Sequence, residues 1–173
     1  TMVAFHGTVF MGRTAAKMHA TDVDAFAAPH AGPIGRVAEG QVTYLNPPAT
    51  PSRPLEPAGL TARVAQIPMV VGDDGALLDL ARPAHEGVVV IAFGSGNVPP
   101  GAVPAIARWL DAGKPVILAT RCPFGEVTPL YAFDGGGART VAMGVIPAGP
   151  RTPSQARMEL TIALSAGVPY GAR

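Results

Sequence analysis

Residues 87–125 limit what this chain can fold into more than any other stretch. Gly87-Val88-Val89-Val90-Ile91-Ala92-Phe93 is an apolar run rich in β-branched residues. A run that is apolar on both faces suits a central strand of a parallel sheet covered on both sides. Gly94-Ser95-Gly96-Asn97 follows, where such a strand passes to a helix. Pro99 and Pro100 mark the helix start, since a first turn has N–H groups without partners and tolerates proline. Val103, Ile106, Ala107 and Leu110 recur at helical spacing and predict the buried face. Gly113 stands where a C-terminal glycine stops a helix, and Pro115-Val116-Ile117-Leu118-Ala119 is a second apolar strand. The unit is βαβ, and ligands of such sheets bind beyond the C-terminal ends of the strands. Those ends carry Ser95, Asn97, Thr120, Arg121 and Cys122.

The flanking chain has a different pattern. Val3-Ala4-Phe5 and Val9-Phe10-Met11 flank His6-Gly7-Thr8, a hairpin signal. Gly12-Arg13-Thr14-Ala15-Ala16-Lys17 leaves that hairpin, and Thr21 is placed to cap a short helix over 22–27. Arg36-Val37-Ala38 and Gln41-Val42-Thr43-Tyr44 flank Glu39-Gly40, a second hairpin. Five prolines between positions 46 and 59 exclude a regular helix or a central strand there, and predict a semi-rigid linker. The organisation expected is a hairpin segment over 1–45, a Pro-rich linker over 46–60 and an α/β domain over 61–173.

Within the last domain, residues 64–71 read as a strand, with Pro68 arguing for an edge position. Residues 73–80 read as a short helix with acidic residues at its positive end, and 141–145 as a last strand. Thr152-Pro153-Ser154-Gln155 is a helix start with an N-cap threonine, proline at the first position and glutamine at the third. Ala156, Leu160, Ala163 and Leu164 form its buried stripe, and Gly167 closes it.

Composition removes several classes of function. Hydrophobic residues make up 48% and charged residues 14% of 173 residues, so a sizeable core is available. A net charge of +1 without a basic cluster argues against nucleic acid as a partner. No apolar run approaches the roughly 20 residues that span a bilayer, and no charged-then-apolar leader opens the chain. A single cysteine excludes an intrachain disulfide and fits a reducing compartment. The cytoplasm is the expected location. His6, His19, His30 and His85 are scattered without metal-ligand spacing, so no metal or other cofactor is expected.

Taken in order, these motifs resemble the bacterial-type L-asparaginases. They are a hairpin, Gly12-Arg13, Lys17, Thr21-Asp22-Val23-Asp24-Ala25-Phe26, the turn Gly32-Pro33-Ile34-Gly35, then Gly94-Ser95-Gly96-Asn97 after a buried strand. Arg121-x-Pro123-x-Gly125 and Thr152-Pro153-Ser154-Gln155-Ala156-Arg157 complete the series. The likeness runs from Val3 to Gly167. It implies a small parallel-sheet, flavodoxin-like C-terminal α/β domain, preceded by β-hairpins resembling the end of the asparaginase N-terminal domain. It also implies hydrolysis of L-asparagine to L-aspartate and ammonia by a homo-oligomer that builds sites across subunit contacts.

Lys17 falls at the position of the family's proton-relay lysine, and Asn97 at that of an asparagine reaching into a neighbour's site. Ser95 and Arg121 stand beside Asn97 as substrate-binding candidates. Arg121 has forked donors suited to a carboxylate, but a structural role pinning the glycine loops through their carbonyls is preferred. Glu126 and Tyr131 lie where some members supply a carboxylate to the neighbour.

This chain departs from the family in one respect: neither T-G-G-T, which holds the family's nucleophilic threonine, nor T-D-T occurs in it. An amide needs an attacking oxygen and a base. The candidates are Thr8, Thr14 and Thr21 around Lys17, Thr1 with its own amine, or a water activated by Lys17. A threonine of the hairpin region is preferred over Thr1, because Met2 reads as the initiator. Cys122 is expected to be a half-buried thiol without a base. Two other readings stay open. One is a catalytically incompetent asparaginase C-terminal domain that scaffolds oligomers. The other is a flavodoxin-like binding module, for which G-x-G-x-x-G is missing.

Overall fold

The computed structural model describes residues 1–46 and 54–171 and divides the chain into two compact units, Thr1–Pro54 and Leu55–Arg173. Residues 47–53, the middle of the proline-rich segment, lie outside the described residues.

The first unit is built from hairpins. Strands β1 (Met2–Phe5) and β2 (Thr8–Met11) pair antiparallel, with Phe5 opposite Thr8. His6 and Gly7, at φ 45° and 70°, make the two-residue left-handed turn that matches strand twist. Two short strands, β3 (Ala16–Lys17) and β4 (Phe26–Ala27), pair with each other as a separate ribbon. Strands β5 (Gly35–Ala38) and β6 (Gln41–Tyr44) form the second hairpin, around Glu39 and Gly40 at φ 51° and 75°. The main sheet has the order β1-β2-β5-β6. Val9, Phe10, Ala25, Ala28 and Ile34 are the buried hydrophobic residues among the described residues of this unit.

The helix expected over 22–27 is not formed. The His19 Nδ1 accepts the N–H groups of Thr21 (3.3 Å) and Asp22 (2.9 Å), and the Asp22 carboxylate accepts that of Asp24. The N–H groups of Met18 and His19 both reach the Ala25 carbonyl, which reverses the chain so that Phe26 pairs with Lys17. Local side-chain acceptors and strand pairing thus outcompete the helix that Thr21 was placed to cap.

The second unit is a three-layer α/β/α domain. Strands β7 (Val64–Pro68), β8 (Gly87–Ala92), β9 (Val116–Thr120) and β10 (Ile146–Pro147) form a parallel sheet in the order β10-β9-β8-β7. Pro68 does sit on an edge strand, where a missing N–H breaks no ladder. Helices α1 (Ala76–Ala81) and α2 (Val103–Asp111) cover one face, where Leu78, Ile106 and Trp109 pack on Val88, Val90, Val116 and Leu118. The Trp109 Nε1 donates to the Leu78 carbonyl at 3.0 Å, so the ring's one polar atom is satisfied in the core. Helix α3 (Gly137–Ala142) precedes β10. Helix α4 (Pro153–Ser165) covers the opposite face, with Ala156 and Leu160 against Val64, Val89, Ile117 and Ala119.

The ends of the helices follow the sequence closely. Thr152 and Gln155 form a reciprocal capping box at α4. Gly113 and Gly167, both left-handed, close α2 and α4, and each donates its N–H to the carbonyl three positions back. Asp73 and Asp74 precede α1 rather than lying within it, and their carboxylates accept the N–H groups of Gly75 (2.8 Å) and Ala76 (3.0 Å).

Two expectations shift. The buried face of α2 centres on Ala102, Ala105, Ile106 and Trp109, one position round from the expected stripe, with Val103 and Leu110 at its margins. Residues 141–145 are not a strand: Val141 and Ala142 end α3, Gly144 turns at φ 109°, and only Ile146 and Pro147 pair with β9.

Candidate active site

Strands β8 and β9 end side by side, with Ala92 opposite Thr120. Beyond β8 the chain turns back on itself: Phe93 and Asn97 exchange backbone hydrogen bonds of 2.8 and 3.0 Å. Gly94 and Gly96, at φ 47° and 115°, permit that turn. The loop is then tied down from three directions. The Ser95 carbonyl accepts the Thr128 N–H at 2.9 Å, the Val98 N–H donates to the Gly135 carbonyl at 2.8 Å, and the Gly94 carbonyl accepts the Thr120 hydroxyl at 2.6 Å.

Asn97 is half-buried, and its Oδ1 accepts the N–H of Gly137, the first residue of α3, at 3.3 Å. Helix starts leave N–H groups without partners, and here Asn97 supplies one acceptor while the Tyr131 carbonyl takes the N–H of Ala138 at 2.9 Å. Of the two ends of a carboxamide only the oxygen accepts an N–H, so this contact sets which way the Asn97 side chain faces. The Asn97 Nδ2 group at the other end carries two donors and no acceptor. Gly135-Gly136-Gly137 make the approach possible: a Cβ on Gly135 would sit 2.2 Å from the Val98 carbonyl oxygen.

Ser95 is half-buried on the same loop. Arg121 is exposed, and its guanidinium lies 4.8 Å from the Phe93 ring centroid. The hydroxyl that pins a glycine-loop carbonyl is that of Thr120. Cys122 is exposed, not half-buried, because the chain leaves β9 directly into the loop. Glu126 and Tyr131 are exposed on that loop, and Tyr131 stacks on Phe133 at 5.9 Å. Thr120 is the residue that sequence reasoning left without a role. A hydroxyl at the end of an otherwise apolar strand was the available signal.

In the first unit, Lys17 is exposed on β3, with its Nζ 6.0 Å from the Phe26 ring centroid. Phe26 in turn packs on Phe5 at 4.9 Å. Thr14 donates its hydroxyl to the Met11 carbonyl at 3.2 Å and so serves the turn after β2. Thr21 is exposed in the β3–β4 loop, and Thr8 is half-buried on β2 opposite Arg36. Thr14 thus lies in the turn before β3, Lys17 on β3 and Thr21 in the β3–β4 loop, whereas Thr8 belongs to the main sheet.

A parallel α/β domain that presents a carboxamide at the C-terminal edge of its sheet, preceded by antiparallel hairpins, is the class this architecture defines. Residues 63–170 match the Glutaminase/Asparaginase C-terminal domain, and residues 1–50 match the N-terminal asparaginase domain. The chain belongs to the glutaminase/asparaginase family.

It is 38% identical over 170 residues to a probable L-asparaginase of Deinococcus radiodurans, covering 96% of this chain and 51% of that protein. It is 27% identical over 172 residues to a glutamyl-tRNA(Gln) amidotransferase component of Pyrococcus furiosus, covering 92% of this chain and 39% of that one. The crystal structure of a probable cytoplasmic L-asparaginase from Campylobacter jejuni superposes with a TM-score of 0.81 at 25% identity, over 95% of this chain and 52% of the other. The chain spans about half the length of the L-asparaginase it matches at 38% identity. Among the described residues no helix is long and apolar enough to cross a membrane.

Proposed function

We propose that this chain acts in the hydrolysis of L-asparagine to L-aspartate and ammonia, as an L-asparaginase. The observation that carries the reading is the Asn97 carboxamide, whose oxygen is committed to Gly137 and whose Nδ2 donors remain for a carboxylate. An α-amino acid with a carboxylate and a side-chain amide suits those donors. The relatives named L-asparaginase support the substrate. In this reading Asn97, with Ser95 and Arg121 near it, serves a neighbouring subunit of a homo-oligomer, and the enzyme works in the cytoplasm without a cofactor.

An oxygen nucleophile adds to the side-chain amide carbon, the C–N bond breaks, and nitrogen leaves as ammonia with the nucleophile's proton. With a threonine nucleophile, water then adds to the resulting ester carbon, the bond to the threonine oxygen breaks as that oxygen regains a proton, and L-aspartate leaves; with water as nucleophile the first addition gives L-aspartate directly. In this reading Lys17 carries the proton, and Thr21, exposed in the β3–β4 loop, has a freer hydroxyl than Thr14, whose own is engaged in a turn. Thr8, Thr1 and a Lys17-activated water complete the candidates. Ammonia release by the purified 173-residue chain with L-asparagine tests the reading. Lys17→Ala should abolish release while leaving the circular dichroism spectrum unchanged.

The second reading, an incompetent domain that scaffolds oligomers, draws on the absence of T-G-G-T and T-D-T from the sequence. No ammonia release, together with retained L-aspartate binding and an oligomer by sedimentation, would select it.

A further inference from the structure

Thr120 is 5% exposed at the last rung of β9. A buried hydroxyl is costly unless it is paired, and this one is paired twice. It donates to the Gly94 carbonyl at 2.6 Å and accepts the Cys122 N–H at 3.1 Å. One side chain therefore grips both the loop that leaves β8 and the loop that leaves β9. The first grip spans 26 positions and holds the loop that carries Asn97. Gly94 has a left-handed φ of 47° and no side chain of its own to fix the loop's course. Its carbonyl direction is set from outside.

We propose that Thr120 is a positioning residue: its hydroxyl latches the Gly94 carbonyl and so aims the Asn97 carboxamide at its ligand. This rests on the reading that Asn97 receives the ligand. The chemistry distinguishes it from plain packing. Valine has nearly the shape of threonine, fits a buried strand end equally well and keeps the β-branched preference, but it leaves the Gly94 carbonyl and the Cys122 N–H unpaired. Serine loses a methyl group and keeps the latch. Packing and latch are therefore separable by two substitutions at one position.

The test uses the full chain with Thr120→Val, Thr120→Ser and Asn97→Ala. The readouts are the Asn97 side-chain amide signal in ¹H–¹⁵N spectra and the affinity for L-aspartate. Thr120→Val should move the Asn97 amide signal and weaken L-aspartate about tenfold, the value of one ordinary buried hydrogen bond. Thr120→Ser should restore both. In an Asn97→Ala background, Thr120→Val should cost no further affinity, because the residue it aims is gone.

The proposal is overturned if Thr120→Val leaves the Asn97 signal in place, if Thr120→Ser behaves like valine, or if the losses with Asn97→Ala add. If the wild type binds no L-aspartate, or Asn97→Ala binds as wild type, the functional reading of Asn97 fails instead. The spectral shift and its rescue by serine then still decide whether the latch exists.

Discussion

Asn97→Asp and Asn97→Ala separate the helix-start contact that this side chain makes from the ligand role proposed for it. Its Oδ1 accepts the N–H of Gly137, a buried residue, over 3.3 Å. Alanine removes that acceptor and strands a helix-start donor. A neutral bond to a helix terminus is worth about 1–2 kcal/mol, so at about 2–4 °C per kcal/mol for a chain of this size the thermal midpoint should fall by about 2–8 °C. Aspartate keeps an oxygen at the same place and adds charge at the helix's positive end, which holds stability within about 0.5 kcal/mol of wild type. Neither variant keeps the Nδ2 donors. Hydrogen bonds to a charged acceptor contribute about 1.5–3 kcal/mol, so both should bind L-aspartate about ten- to a hundredfold more weakly. The aspartate variant should be the worse of the two, through repulsion between carboxylates. Thermal melts and titration calorimetry on the three proteins read both quantities. An Asn97→Asp protein that binds normally would refute the donor assignment, and an Asn97→Ala protein with an unchanged midpoint would refute the cap.

Three further outcomes follow from the packing. Gly135→Ala should cost about 3 kcal/mol or more in urea denaturation, since it adds left-handed strain at φ 88° to a backbone clash at 2.2 Å from Val98; a loss under about 1 kcal/mol would show that α3 moves freely from the glycine loop. Trp109→Ala, at a site with 0% exposure, should cost about 4 kcal/mol by the same assay, and a loss below about 2 kcal/mol would mean the cavity collapses. Tyr170 is pushed up to about 12 by burial, with Glu159 adding to the effect and Arg151 opposing it, and its hydroxyl has no hydrogen-bond partner among the described residues. The folded state thus holds that proton after the unfolded chain, titrating near 10.0, has lost it, so stability should fall between pH 10 and 12. Tyr170→Phe should remove that increment of alkaline loss and leave stability at neutral pH unchanged or raised, as melts against pH will show.

Much of the fold was legible because its determinants are local. The runs at 87–93 and 115–119 have no polar face to give to water, so burial between two layers is forced on them. The Thr152–Gln155 box, the stops at Gly113 and Gly167 and the turns His6-Gly7 and Glu39-Gly40 each depend on a few consecutive residues, and each stands as read. The order of motifs from Lys17 to Asn97 likewise lay in the chain itself and carried the family.

Other features depended on partners far away in sequence. Residues 22–27 hold an N-cap signal, yet pairing of Phe26 with Lys17 and the acceptor on His19 overrule it. The α2 stripe is rotated by the position of the sheet, which no helical period encodes. Cys122 and Arg121 owe their exposure to the direction in which the chain leaves β9. At the candidate site the sequence supplied the residue types: a carboxamide, a hydroxyl and the glycines at 94, 96 and 135–137. Which oxygen meets which N–H was decided only when the ends of β8 and β9 came level, because a hydrogen bond has a direction and a length of about 3 Å that residue identity alone does not set.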